Sequence, residues 1–241
     1  MCTVSWVHED DGYRLLCNRD EQRTRREAIE PQHEQRAGVR FLSPIDGERG
    51  GTWLSVNEYG LSVCLLNGAC LAGSTVTRDG LAPRRSRGEI PLALVDARTA
   101  LEACARLSRL DLAEYVAFTA VIAEPDLPVA IAEWDGEVLA IIPYGEPYLP
   151  LISSSFDAAH VRAERSAEFL RMAQAGDSLE SFHRSHGAGP SAYSPCMHRP
   201  DAETVSLSEV RVRGDSITLR YSAGAPCRGV PPVERTLERI Q

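Results

Sequence analysis

The feature that most constrains this chain is a turn near its start. Thr3–Val7 alternates polar and apolar side chains, Tyr13–Asn18 reads as a second strand, and Glu9-Asp10-Asp11-Gly12 lies between them. Acidic residues followed by glycine between two such runs form a hairpin, which commits the chain to antiparallel pairing at once. The same arrangement recurs. Thr52–Val56 and Leu61–Asn67 flank Asn57-Glu58-Tyr59-Gly60, and Thr204–Val212 and Ser216–Tyr221 flank Gly214-Asp215. Further strands are expected at Tyr115–Ala123, Val129–Trp134, Val138–Pro143 and Leu149–Ser153, with Asp135-Gly136 turning between the second and third. Helical spacing of apolar residues predicts one or two helices over Ile90–Leu110 and an amphipathic helix over Ala158–Ala175. The polar, Arg-rich Arg23–Gly38 reads as irregular surface chain, and Ser181–Ser194 as loop. Hairpins at both ends with two helical blocks between them predict an α+β fold on antiparallel sheets, not a doubly wound parallel sheet. No linker divides the chain, so residues 1–241 are expected to form a single domain.

Composition narrows the function. With 34 acidic against 26 basic residues the net charge is -8, which disfavours a broad nucleic-acid or anionic-membrane surface. Every basic residue is Arg, so lysine Schiff-base chemistry, a lysine general base and a Walker-type phosphate loop are excluded. The start shows no basic segment followed by an apolar one, and the longest apolar stretch, Val116–Ala123, is too short to span a bilayer. A cytoplasmic protein is expected, with its seven cysteines as free thiols, six of them small buried hydrophobes.

The exception is Cys2. A small second residue normally permits removal of Met1, which would leave a thiol and a free α-amine on one residue. An α-amine has a reference pKa of about 7.7–8.0 and can serve as a base at working pH. Nucleophile and base then share a residue, as in chain-terminal nucleophilic catalysis. Counting back from the turn shows what lies opposite. If Asp11-Gly12 is the turn, paired positions sum to 23; if Asp10-Asp11 is, they sum to 21. Cys2 therefore faces a position between Arg19 and Glu21, and the run Asn18-Arg19-Asp20-Glu21 lands beside the thiol. A guanidinium there stabilises thiolate, and a carboxylate holds an amine.

These blocks carry a resemblance. MC at the start, CNRDE at 17–21, GGTWLSVNEYGLSVCLLN at 50–67 and SRGEIP at 86–91 resemble the NRDE family, also called the transport-and-Golgi-organisation type-2 family. LISSSFD at 151–157 and CMHRPDAETVSLS at 196–208 are similar to a bacterial branch of it. That family in turn resembles N-terminal-nucleophile (Ntn) hydrolases of the penicillin V acylase and bile salt hydrolase type. The resemblance implies a four-layer αββα sandwich and cleavage of non-peptide C–N amide bonds. It implies Cys2 as nucleophile, with Arg19 and Asp20 at the end of the second strand, and Asn67 in the oxyanion hole. Arg and Asp are spaced differently in the hydrolases, which leaves open whether Asn18 or Arg19 faces the thiol. Where they place a second oxyanion Asn, this chain has Ser153 or Ser154. Arg162 and Arg165 are candidates for a further active-site Arg. The expected partner is a small acyl or anionic substrate, with no cofactor; oligomeric state is not indicated. Eukaryotic members tied to lipid homeostasis and haem movement imply an alternative, a non-catalytic carrier of haem or acyl lipid.

Other groups have plainer readings. Arg84, Arg85 and Arg87 read as a solvated loop or, through their forked donors, as a site for an anionic substrate group. Trp53 is expected in ordinary core packing, and Cys17 and Cys64 as buried and inert. His183-x-x-His186 and Cys196-x-His198 have metal-ligand residue types, but their spacing matches no common zinc template. They read as solvent-exposed loop residues, and no metal is expected.

Overall fold

In the computed structural model, which describes residues 2–68, 85–143, 145 and 148–240, Glu9 pairs with Gly12. The first hairpin thus turns on Asp10-Asp11 and paired positions sum to 21, the second of the two registers. Its strands, β1 (Cys2–Glu9) and β2 (Gly12–Gln22), lie inside a six-stranded sheet. β10 (Leu151–Ser153) borders β1, and β11 (Ala202–Arg213), β12 (Ser216–Ala223) and β13 (Val233–Glu238) continue beyond β2. A seven-stranded sheet runs in chain order through β3 (Ile29–Arg36), β4 (Val39–Ile45), β5 (Leu54–Asn57), β6 (Ser62–Asn67), β7 (Phe118–Ala123), β8 (Ala130–Trp134) and β9 (Leu139–Ile142). Every pairing in both sheets is antiparallel.

Period-2 alternation builds the layers. Val4 and Trp6, Leu15 and Cys17, Cys64 and Leu66, and Val210 and Val212 point into one core between the sheets. Val63 and Leu65, the intervening residues of β6, point the other way, onto α1 (Glu89–Leu94) and α2 (Ala100–Leu107). On the far side α3 (Ala158–Ala175) packs on β10, and α4 (Leu179–Arg184) on β1 and β2. The order is helix, sheet, sheet, helix: the αββα sandwich. The Asn57–Gly60 turn is held by one side chain. Asn57 Oδ1 accepts from the Tyr59 and Leu61 N–H groups, and its Nδ2 donates to the Val95 and Ala97 carbonyls, tying the turn to the end of α1.

Two segments differ from expectation. Arg23–Gly38 is not irregular throughout, because Ile29–Arg36 forms the edge strand β3. Its side chains are mostly exposed, and its pairing to β4 comes from the backbone, which hydrophobic patterning does not register. Pro31 sits where the register shifts, a position that needs no ladder donor. Ser181–Ser194 begins inside α4, a helix too short to show periodicity. Ser178 caps it by accepting from the Ser181 N–H, and Phe182 and His183 are buried.

Candidate active site

The two sheets open a cleft where β1, β2 and β6 end. Cys2 lies between two partners in its own sheet, opposite Arg19 on β2 and Ser153 on β10. It belongs to the inner face with Val4 and Trp6 and is 5% exposed. Its backbone nitrogen donates to Ser153 Oγ at 3.0 Å. Arg19 is on the same face. Its guanidinium lies 4.4 Å above the Trp53 ring and donates to Asp46 Oδ2 at 2.5 Å. Cys2, Arg19, Glu21, Asp46, Trp53, Asn67 and Arg87 line a cleft of about 140 Å³. Two glycines make its far wall. A Cβ on Gly51 would lie 2.7 Å from the Gly88 carbonyl carbon, so the backbones at 51 and 88 touch, with Thr52 N–H bonded to Gly88 O at 2.9 Å. That contact brings Arg87 into the cleft, where its guanidinium donates to Ala117 O at 3.0 Å.

The electrostatics sort these groups. The Cys2 thiol is held well above its ordinary pKa by a hydrogen bond shared with the Cys17 thiol and by burial. Cys17, whose thiol donates to Asn18 O, is buried in the same core as Cys2 and Cys64, and its own pKa is also raised. Burial works to raise Asp46, yet hydrogen bonds from Arg25 and the Arg49 N–H, with the charge of Arg19, hold its carboxyl below the usual range. Asp46 therefore stays anionic and fixes Arg19. Burial pushes the Arg87 guanidinium down from its usual value.

The outer face of the same strand pair carries different residues. Asn18 lies opposite Thr3, and its Nδ2 donates to the His183 and Pro195 carbonyls at 2.8 and 2.9 Å. It therefore does not face the thiol; Arg19 does. Asp20 borders the cleft, but its carboxylate accepts from Thr204 Oγ1 at 2.6 Å and from Arg165 Nη1 at 3.0 Å. Arg165, which also donates to Thr3 Oγ1, has no exposed surface. It braces α3 against β1 and β2 and does not line the cleft.

A family model described as Transport and Golgi organisation 2 matches residues 1–146. The chain belongs to that family. No curated protein matches it in a sequence comparison. Among solved structures it is similar to penicillin V acylase from Agrobacterium tumefaciens, at 13% identity and a TM-score of 0.55, covering 99% of this chain and 86% of that one. It is also similar to the mutant C2A conjugated bile acid hydrolase from Clostridium perfringens, at 12% identity and a TM-score of 0.58, covering 99% of this chain and 92% of that one. The likeness shows that this member of the Transport and Golgi organisation 2 family has the Ntn-hydrolase fold.

The residues singled out from the sequence divide as follows. Cys2, Arg19, Asn67 and Arg87 meet at the cleft, with Ser153 behind Cys2. Ser153, not Ser154, is the neighbour; Ser154 Oγ donates to Phe156 O instead. Arg85 does not line the cleft. It pairs with Glu89 at 2.5 Å and lies over the Tyr115 ring. Arg84 lies outside the described residues, and Arg162 is not part of the cleft. Trp53 packs in the core as expected and also carries Arg19. Sequence reasoning missed Asp46 and Arg25. The only local sign of Asp46 is its place in the Ile45-Asp46-Gly47 turn, where it accepts from the Glu48 and Arg49 N–H groups. The reading of His183, His186, Cys196 and His198 as exposed loop residues is corrected. His183 is fully buried against Ser5 Oγ at 2.8 Å, and Cys196 is also buried. His186, Cys196 and His198 gather with Cys227, which is not a buried hydrophobe but exposed.

The described residues contain no helix long and apolar enough to cross a membrane.

Proposed function

We propose that the chain is an N-terminal-cysteine amidohydrolase that cleaves a non-peptide C–N bond in a small acyl-amide, after Met1 is removed. The observation that carries this reading is the position of Cys2: at the cleft, opposite Arg19, with its nitrogen on Ser153 Oγ. A thiol with a raised pKa is a poor nucleophile while its nitrogen is an amide. Processing turns that nitrogen into an amine whose neighbour, Ser153 Oγ, can orient it.

In the proposed reaction the α-amine takes the thiol proton and the sulfur attacks the amide carbonyl. Asn67 donates to the developing oxyanion, an interaction worth about 2.7–4 kcal/mol where such donors have been removed. The ammonium returns its proton to the leaving nitrogen, the C–N bond breaks, and a thioester remains. Water, deprotonated by the same amine, attacks the thioester; acid is released and the proton goes back to sulfur. Arg19 keeps positive charge beside the thiolate, fixed in place by Asp46. Arg87, partly desolvated, is the cation available to an anionic substrate group.

The test is intact mass of protein from its native host, followed by turnover of a panel of acyl-amides. The expected result is loss of Met1, with hydrolysis in the wild type that Cys2→Ala lowers by at least about 10³-fold. Retention of Met1, or equal turnover in Cys2→Ala, overturns the mechanism.

A further inference from the structure

His186 follows α4, Cys196 and His198 lie in the segment leading to β11, and Cys227 sits in a single 3₁₀ turn, Pro226–Arg228, after β12. One ligand atom from each lies within 4.8 Å of all the others. The pairs within this group are close. His198 Nε2 is 3.1 Å from His186 Nε2, 3.6 Å from Cys196 Sγ and 3.4 Å from Cys227 Sγ.

Hydrogen bonding alone does not account for this. A neutral imidazole nitrogen has either one N–H or one lone pair, so it satisfies one partner, not three. A cation between the four atoms does account for it. Tetrahedral zinc with bonds of about 2.0–2.1 Å to nitrogen and about 2.3 Å to sulfur separates two nitrogens by about 3.3 Å and a nitrogen from a sulfur by about 3.6 Å. The three separations from His198, 3.1, 3.6 and 3.4 Å, lie within about 0.2 Å of these values. Two thiolates and two neutral imidazoles also balance a divalent charge.

We infer that His186, Cys196, His198 and Cys227 form a structural site for a borderline-soft divalent cation of the zinc class. The backbone already holds the ligands. Cys196 N–H donates to Ser185 O, His198 N–H to Ser191 O, and Ser194 Oγ to Cys196 O. The metal would fasten the 185–198 segment to the turn after β12. That segment supplies the Pro195 carbonyl that Asn18 donates to and the Tyr193 carbonyl 3.4 Å from Arg165 Nε. The ion therefore lies behind the strand ends that carry Cys2 and Arg19, not among the reacting groups.

The experiment uses the full chain purified without chelator from zinc-containing medium, analysed by plasma mass spectrometry and then exchanged with Co(II). About one zinc per chain is expected, with the visible bands and thiolate-to-cobalt charge transfer of a tetrahedral site. Cys227→Ser removes an exposed ligand from a short turn and is expected to keep wild-type circular dichroism. It should lose zinc to a competing chelator at least about 100-fold more readily, beyond the 10–100-fold that outer partners are worth. His186→Ala should act alike. Metal-free protein without a cobalt charge-transfer band overturns the site, as does a band unchanged by Cys227→Ser. A Cys196–Cys227 disulfide mapped in the native chain also overturns it. None of these readouts depends on amide hydrolysis.

Discussion

The two faces of the β1–β2 hairpin meet different surroundings. The inner face ends in Cys2 and Arg19, whose side chains meet a cleft, and Arg19 is fixed there by Asp46 and Trp53. The outer face, one residue out of step, ends in Thr3, Asn18 and Asp20, which bond to Arg165, Thr204 and the carbonyls of the 183–195 segment. Alternation thus separates Cys2 and Arg19 from Thr3 and Asn18, their immediate neighbours in sequence. An Arg and an Asp adjacent in sequence have different partners: Arg19 pairs with Asp46, and Asp20, though it borders the cleft, with Arg165 and Thr204.

Replacing one arginine from each face tests that division, and the largest effect is expected on the outer one. Arg165→Met removes the buried guanidinium that pairs with the Asp20 carboxylate, and breaking such a pair costs about 3–5 kcal/mol. Arg19→Met leaves Asp46 with Arg25, the Glu48 and Arg49 N–H groups and partial solvent, so its cost is expected at about 1–2 kcal/mol. Urea unfolding of both variants, set beside their amide turnover, reads the contrast. Arg165→Met should lose stability first, and Arg19→Met should lose turnover while folded. The reverse ranking would mean that the two faces have been assigned the wrong way round.

Much of the inner face was legible in the sequence, and little of the outer one. Turn chemistry at Glu9–Gly12 limited the partner of Cys2 to a position between 19 and 21, because hairpin register follows from the turn. The blocks around Trp53, Asn57 and Asn67 sit on neighbouring strands, so their spacing carried through to the cleft. Asp46 escaped because its link to Arg19 joins the two sheets, which no local pattern encodes. Arg165 was read as a possible active-site cation, since sequence does not show that a charged residue at a core-facing helix position points at a buried carboxylate. The metal-type quartet was hidden by distance. Three of its members lie within thirteen residues, but Cys227 reaches them only after β11 and β12 have formed a hairpin.

A second prediction sharpens the outer face through pH. His183 is fully buried on Ser5 Oγ, and burial together with the nearby Arg165 lowers its pKa to about 3. Its unfolded value is about 6.5. The folded state therefore favours the neutral ring, and the unfolded chain binds the extra proton first. The contribution is present above about pH 6.5 and is lost as pH falls from there toward 3, on the order of a few kcal/mol in all. His183→Gln should flatten stability against pH in that window while leaving the Asp46 contribution, which is lost at lower pH as its depressed carboxyl protonates. Equal slopes in wild type and variant would show that His183 titrates as a solvated group.

The smallest expected effect falls on the cross-strand partner of Cys2 on β10. Ser153 is buried, it pairs with Cys2, and its hydroxyl accepts from the Cys2 nitrogen. As support alone, Ser153→Ala should cost about 0.5–1.5 kcal/mol of stability, one neutral hydrogen bond, and leave kcat unchanged. If the processed α-amine is the base, the same substitution also removes the acceptor that favours its ammonium form. The amine pKa should then fall, so that the ascending, acid-side limb of the kcat profile moves to lower pH, and kcat at its optimum should fall about tenfold because the amine is no longer aimed at the sulfur. Thr at this position keeps an acceptor and should restore the profile. A Ser153→Ala enzyme with wild-type kcat and pH profile would place the hydroxyl with the scaffold and leave the orientation of the amine to the strand backbone.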